Sequence, residues 1–194
     1  MKKALFLALV LGFVVFFSLR ALAITIGFEP ASQIVPVGES VSIDLVISGL
    51  GDYSEPSLST FDLNITYDTA ILDFTDYTLG SCLGDILFGE AWDLSWGETA
   101  PGTINLAELS FLSVSELDAL QPSSFPLATL TFNTLAVGTS SLDISTTALG
   151  DAYGNLLSAD VQSGSISPVP EPATFILIGF GLGGIGILRR RRKI

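Results

Sequence analysis

Histidine is absent from the 194-residue chain, and cysteine and methionine occur once each. Positive charge is missing from the interior of the sequence. The 8 basic residues are Lys2, Lys3, Arg20, Arg189, Arg190, Arg191, Arg192 and Lys193, so Ile24 to Pro168 hold 19 of the 20 acids and no Lys, Arg or His. These absences exclude much chemistry. A Ser-His-Asp or Cys-His site lacks its imidazole, and a Schiff base lacks its lysine. A zinc site built on His and several Cys cannot be assembled. Nucleic-acid binding lacks the cations that would neutralise phosphates. No side-chain salt bridge can form within this stretch, and the single Cys82 excludes an intrachain disulfide. Cys82 reads as a buried small apolar residue, with a thiol linking two chains as the alternative. What remains is carboxylate chemistry, hard-cation binding, or a binding or structural role.

The two ends, which hold all the basic residues, read as addresses. Residues 1–23 run from Met1-Lys2-Lys3 through an apolar stretch to Ala21-Leu22-Ala23. This is the pattern of a secretory signal peptide, with Ala21 and Ala23 as the cleavage-site residues and Ile24 as the expected mature start. Residues 168–194 begin with Pro168-Val169-Pro170-Glu171-Pro172, continue as an uncharged apolar run over 173–188, and close with a basic tail over 189–194. At about 1.5 Å per residue such a helix is roughly 24 Å long, which spans a ~30 Å hydrocarbon core only with snorkelling or thinning. The positive-inside rule keeps Arg189, Arg190, Arg191 and Arg192 cytoplasmic. The run also contains Gly179-x-Gly181-x-x-Gly184, but no strand precedes it and the chain stops ten residues later, so a dinucleotide site is not expected. Leu79-Gly80-Ser81-Cys82 imitates a lipoprotein box far from any signal peptide, and Asn64-Ile65-Thr66 is a chance sequon within a strand.

Val169, Pro170, Glu171 and Pro172, the Gly-rich apolar stretch and the four arginines, in that order, resemble the PEP-CTERM sorting signal. The resemblance implies export by a bacterium that makes extracellular polysaccharide. It also implies a transient inner-membrane anchor with the body on the periplasmic side, and processing at Pro-Glu-Pro by an exosortase-type membrane protease. The destination is then the cell surface or the extracellular space.

The stretch between the ends, residues 24–167, reads as one all-β domain. Period-two alternation is clear in Val41–Ile47, Phe61–Tyr67, Ala128–Phe132 and Leu142–Ser145. Weaker strands are expected at Ile24–Phe28, Leu72–Leu79, Ile86–Phe88, Leu94–Trp96, Ile104–Phe111 and Ser163–Ile166. Ser113–Leu120 is expected to make one short helical turn, capped by Ser113 or Ser115 with Glu116 or Asp118 in its first turn. The expected architecture is an antiparallel two-sheet sandwich, jelly-roll or immunoglobulin-like. Val37-x-x-x-Val41 through Ile47, followed by Phe61-x-Leu63-x-x-x-Tyr67-Asp68 and Leu72-x-Phe74, resembles the opening of a cohesin domain, and Asp151 to Asn155 resembles a late turn of that family. The resemblance implies the fold and, by analogy with cohesin–dockerin pairs, a protein partner.

Three chemistries compete for the body. Calcium is the best cofactor candidate, since oxygen ligands abound and ammonium groups are absent. Asp151 and Asn155, with Asp160, or alternatively Asp52 and Glu55, would hold it; an Asx turn explains Asp151 to Asn155 without metal. Trp92 and Trp96, at even spacing on one strand and with Phe88, Tyr53 or Tyr77, would make a glycan platform, although burial in the core is the commoner fate of tryptophan. Asp73 with Asp76, Asp93 with Glu98, or Asp62 with Asp68 would make a carboxylate-based glycosidase; so many acids create such pairs by chance. The reading preferred over these is a non-enzymatic exported surface or matrix protein that associates with exopolysaccharide or a protein partner, with a carbohydrate-binding module as runner-up.

Overall fold

The computed structural model describes residues 23–171. Strands form where alternation was strongest, because one polar and one apolar face can each be satisfied at once on a pleated sheet. The first half contains β1 (Ile24–Glu29), β2 (Ser32–Pro36), β3 (Ser40–Ser48), β4 (Leu58–Thr66) and β5 (Leu72–Leu79). Two short strands follow, β6 (Ala91–Asp93) and β7 (Gly97–Ala100), then β8 (Thr103–Ser110) and one helix, α1 (Val114–Leu120). The chain continues as β9 (Ser124–Thr134), β10 (Ser140–Asp151), β11 (Ala159–Val161) and β12 (Gly164–Val169).

The strands make two sheets. One has the order β11-β1-β3-β9-β5; the other runs β2-β12-β10-β4-β8-β6, with β7 also paired to β8. Val41, Ile43, Leu45 and Ile47 of β3 face Phe61, Leu63 and Ile65 of β4, with Ile104 and Leu106 of β8 and Leu130 and Phe132 of β9 completing the shared core. Tyr67 and Phe74 each set an edge against the Phe132 ring, at 5.3 and 5.8 Å between centroids. The all-β sandwich expected from the sequence is therefore present. It is not wholly antiparallel: β1 pairs in parallel with β11, and β2 with β12, at the outer edges. Short edge strands with little alternation carry no signal of their direction, which is why β2 and β11 escaped the sequence reading. Pro126 sits in β9 beside a register shift against β3, where a missing N–H costs least.

Two local expectations fail. Ile86–Phe88 is a turn, not a strand. Leu94–Trp96 is the break between β6 and β7, because Ser95 leaves the ladder to exchange hydrogen bonds with Ala107 through its hydroxyl. The last strand runs through Pro168 to Val169, and the Val37 amide donates to the Val169 carbonyl at 2.9 Å. The helical expectation holds. Ser113 is the N-cap of α1, and Glu116 accepts from the Ser113 amide at 2.8 Å and from its hydroxyl at 2.6 Å. Among the described residues no helix is long and apolar enough to cross a membrane. Residues 1–22 of the expected signal peptide, Pro172, the 173–188 run and the basic tail at 189–194 lie outside the described residues.

Candidate functional site

The β6–β8 register decides which side chains this edge offers. Trp92 stands opposite Leu109 and Asp93 opposite Glu108. Ala91 and Glu108 point between the sheets and are buried, so Trp92, one residue along, points out. Trp92 is 58% exposed and packs edge-on against Phe111 at 4.8 Å between centroids. Trp96 is 82% exposed, and its amide donates to the Asn105 side chain. Leu87 and Phe88, at the tip of the preceding turn, are 93% and 83% exposed. The turn is held by Asp85, whose carboxylate accepts from the Leu87 amide at 2.8 Å, and by Glu90, which accepts from the Asp85 amide at 2.9 Å. Core burial of the two tryptophans, the commoner fate, is therefore overturned. Their placement on one strand is overturned too, because the ladder breaks between them. Leu87, Phe88, Trp92, Trp96 and Phe111 are thus exposed apolar side chains on β6, on the segments that flank it and just after β8. Of the other aromatics considered for a platform, Tyr53 is exposed on the β3–β4 loop with φ 53°, and Tyr77 donates to Asp93 across the sheet edges at 2.9 Å.

The proposed carboxylate pairs serve as acceptors in the fold. Asp62 accepts from Asn105 at 2.8 Å, Asp68 from the Ala70 amide at 2.9 Å, and Asp76 from the Tyr77 amide at 2.9 Å. Asp93 accepts from the Ser95 amide in addition to Tyr77. Glu98 accepts from the Tyr67 hydroxyl at 2.6 Å and the Gly102 amide at 3.0 Å. Those two bonds, the Tyr67 one larger, hold Glu98 below the usual carboxylate range, while burial and then the same bond push Tyr67 up to about 12. Asp73 is exposed at the β5 edge.

The one carboxyl moved strongly upward is Glu108, which the sequence reading did not consider. It is 1% exposed, neither carboxyl oxygen has a hydrogen-bond partner, and burial followed by the charge of Asp93 raises it to about 8. Its position was legible in principle, since Ile104, Leu106 and Glu108 share one parity on β8 and the first two are core. Sealed from solvent, its oxygens cannot reach a glycosidic oxygen, so its raised value does not make an active site.

The calcium candidates also resolve into local structure. Asp151 accepts from the Tyr153 and Asn155 amides at 2.9 and 2.8 Å and from the Asn155 side chain at 2.9 Å. This is the Asx turn, and the Asn155 bond is the first cause of the lowered Asp151 value. Asp52 accepts from the Ser123 amide, and Asp160 lies on the β11 edge. Among the described residues no three or more Cys, Asp or Glu are placed to hold a metal ion. Cys82 is half-buried and free, its thiol raised by burial and then by Glu108. Of the sorting residues, Val169 ends β12, while Pro170 and Glu171 are exposed beyond it.

Two comparisons match these observations. Residues 168–193 match the PEP-CTERM protein-sorting motif. No curated protein sequence matches the chain. The solved structures similar to the body are cohesin modules. The sixth cohesin of scaffoldin B from Acetivibrio cellulolyticus, solved in complex with a mutant Cel5 dockerin, is 20% identical with a TM-score of 0.60, over 76% of this chain and 99% of that one. CaCohA2 from Clostridium acetobutylicum is 18% identical with a TM-score of 0.60, over 80% of this chain and 96% of that one. The non-cellulosomal cohesin of the hyperthermophilic archaeon Archaeoglobus fulgidus is 14% identical with a TM-score of 0.57, over 79% and 96%. At such identities the likeness establishes the fold. The chain thus joins a cohesin-like sandwich to a PEP-CTERM sorting motif.

Proposed function

We propose that the chain is an exported, non-catalytic interaction module, brought to the cell surface or matrix by its C-terminal signal and docking a protein partner there. The observation that carries the reading is the exposed apolar group Leu87, Phe88, Trp92, Trp96 and Phe111 on a body of cohesin fold. The neighbours solved with dockerins supply the analogy for a protein partner. In this reading residues 1–23 direct export and are removed after Ala23. The 173–188 segment holds the chain in the inner membrane with the body outside and Arg189 to Arg192 within. An exosortase-type protease then acts at Pro170-Glu171-Pro172. Because the β12 ladder ends at Val169, a cut in this motif leaves the sheet whole.

Expression in an exosortase-bearing host tests the sorting. The wild-type chain should leave the membrane fraction, and a P170A/E171A/P172A chain should stay in it; unchanged release of the variant would sink the assignment. The exposed tryptophans favour a second reading, a glycan-binding module, since an indole face stacks on a sugar ring. Calorimetry of the chain against purified exopolysaccharide separates the two: heat that disappears in W92A/W96A supports the glycan reading and displaces the protein partner.

A further inference from the structure

β12 leaves the sandwich at one end, and three connections are tied together around that exit. The Val37 amide of the β2–β3 turn donates to the Val169 carbonyl at 2.9 Å, and the Gly138 amide of the β9–β10 loop donates to the Pro168 carbonyl at 3.2 Å. The same loop is fixed to the β4–β5 turn, because the Leu135 amide donates to the Ile71 carbonyl at 2.8 Å. Leu135 and Val137 of this loop are both more than half exposed, and Val169 is exposed at the end of β12. Scattered singly, exposed apolar side chains need no explanation. These stand beside the exit to the sorting signal, and the length of the link decides what they meet. Pro170, Glu171 and Pro172 alone separate β12 from the apolar run at 173–188. From 169 to 173 a fully extended chain reaches at most about 14 Å. The polar layer on each side of a ~30 Å hydrocarbon core is itself about 5–8 Å deep. Less than about 10 Å of slack then remains, under the width of a single helix, which is too little to seat another protein between body and bilayer.

We propose that, while the anchor is in place, this end of the sandwich rests on the lipid surface, with Leu135, Val137 and Val169 entering the boundary between headgroups and acyl chains. The contact rests on the anchoring proposed above and lasts until processing at Pro170-Glu171-Pro172. The apolar run strengthens it. Roughly 24 Å long as a helix, the run is about 6 Å short of the core, so a basic tail held in the opposite headgroups draws the outer end of the run inward. Glu39, Asp68 and Glu171 are exposed at the same end, so a zwitterionic leaflet suits it and an anionic one repels it. The contact also sets the direction of the partner face. β8 starts at this end, where the Gly102 carbonyl accepts from the Tyr67 amide, and Trp92 stands opposite Leu109 near the far end of the strand. From 102 to 109 the strand rises roughly 23 Å, at about 3.3 Å per residue, which keeps Trp92 clear of the headgroups.

Nitroxide quenching in vesicles tests the contact. The chain is expressed with its export signal in a host that lacks an exosortase, extracted from the membrane and labelled with nitrobenzoxadiazole on a single cysteine. One version is Cys82→Ala/Val137→Cys, at the tip. The other is Cys82→Ala/Ser115→Cys, on α1 beyond the far end of β8; positions 137 and 115 are both exposed, so the labels leave the core untouched. Each is reconstituted into phosphatidylcholine vesicles with or without lipid that bears a nitroxide near the top of its acyl chain. Both should float with the vesicles, and emission at 137 should be quenched several-fold more than emission at 115. Adding Leu135→Asp to the tip version should reduce the quenching at 137, because a carboxylate is expelled from the acyl boundary. Equal quenching at the two positions, or quenching at 137 untouched by Leu135→Asp, overturns the lipid contact while the floating chain upholds the anchor. A chain that fails to float overturns the anchor itself and the contact with it.

Discussion

Glu108 is the residue the fold tolerates at greatest cost. Its partners across the sheet are Phe61 and Asp93, neither a donor to its carboxyl, and Cys82 is its other titratable neighbour. Burial favours the protonated form, so the folded state holds this proton up to about pH 8 while an unfolded chain releases it near 4.5. Below pH 4.5 both states are protonated and the residue costs nothing in charge. As pH rises from there to 8 the unfolded state binds fewer protons, and stability falls; above 8 both are ionised and the full penalty persists. E108Q, equally unpaired but unable to ionise, should therefore match the wild type near pH 4.5 and exceed it at pH 8 by roughly 3–5 kcal/mol, each unit of raised pKa being worth about 1.4 kcal/mol. Urea melts at the two pH values check it, and a pH-independent difference would show that the carboxyl stays ionised in the fold. Gly80 shows a second constraint at this scale: a Cβ there would stand 2.2 Å from the Pro126 carbonyl oxygen, so G80A must displace backbone. A loss of roughly 1–3 kcal/mol is expected in the same melts, typical of an overpacked site.

At the scale of elements, the end of the sandwich is closed by one side chain. Gln121 follows α1, is 1% exposed, and bridges three segments. Its amide oxygen accepts from the Leu58 amide at 2.7 Å, and its nitrogen donates to the Leu58 and Cys82 carbonyls at 2.7 and 2.9 Å. Q121A leaves these backbone groups buried and unmet, so it should cost roughly 2–4 kcal/mol. Hydrogen exchange should speed up first at Leu58 and in the 80–90 segment, and uniform acceleration across both sheets would contradict this wedge role. How much of the architecture could be read in advance follows from the same physics. In β3 and β4 each apolar residue points inward and each polar one outward, so alternation alone located them. The Leu94–Trp96 segment defeats that logic because parity means nothing once Ser95 leaves the ladder. That is why two tryptophans assigned to one face stand on separate pieces of chain. The Glu55–Tyr153 hydrogen bond was invisible for a different reason, since the pairing of β4 with β10 brings residues 55 and 153 together. The sorting motif was wholly legible, because its meaning lies in linear order.

For the whole molecule, charge is the dominant peculiarity. Nineteen acids and no bases occupy Ile24 to Pro168. Their mutual repulsion opposes compaction and keeps the body soluble, and it is screened over about 10 Å at 0.1 M salt. The melting temperature should rise steadily from 10 mM to 500 mM sodium chloride; a flat series would mean that the carboxylates are too dispersed to matter. The same field favours a basic partner, and Asp85 and Glu90 stand in the turn that carries the exposed Leu87 and Phe88. The central claim is that this face meets a partner after export. Oxidative footprinting of Trp92 and Trp96, read by mass spectrometry on the chain in its native envelope and on the purified chain, tests it without knowledge of the partner. Both tryptophans should be protected several-fold in the envelope relative to the purified chain, while the exposed Tyr53 on the β3–β4 loop is oxidised equally in both. Equal oxidation of Trp92 and Trp96 in the two preparations would contradict the account.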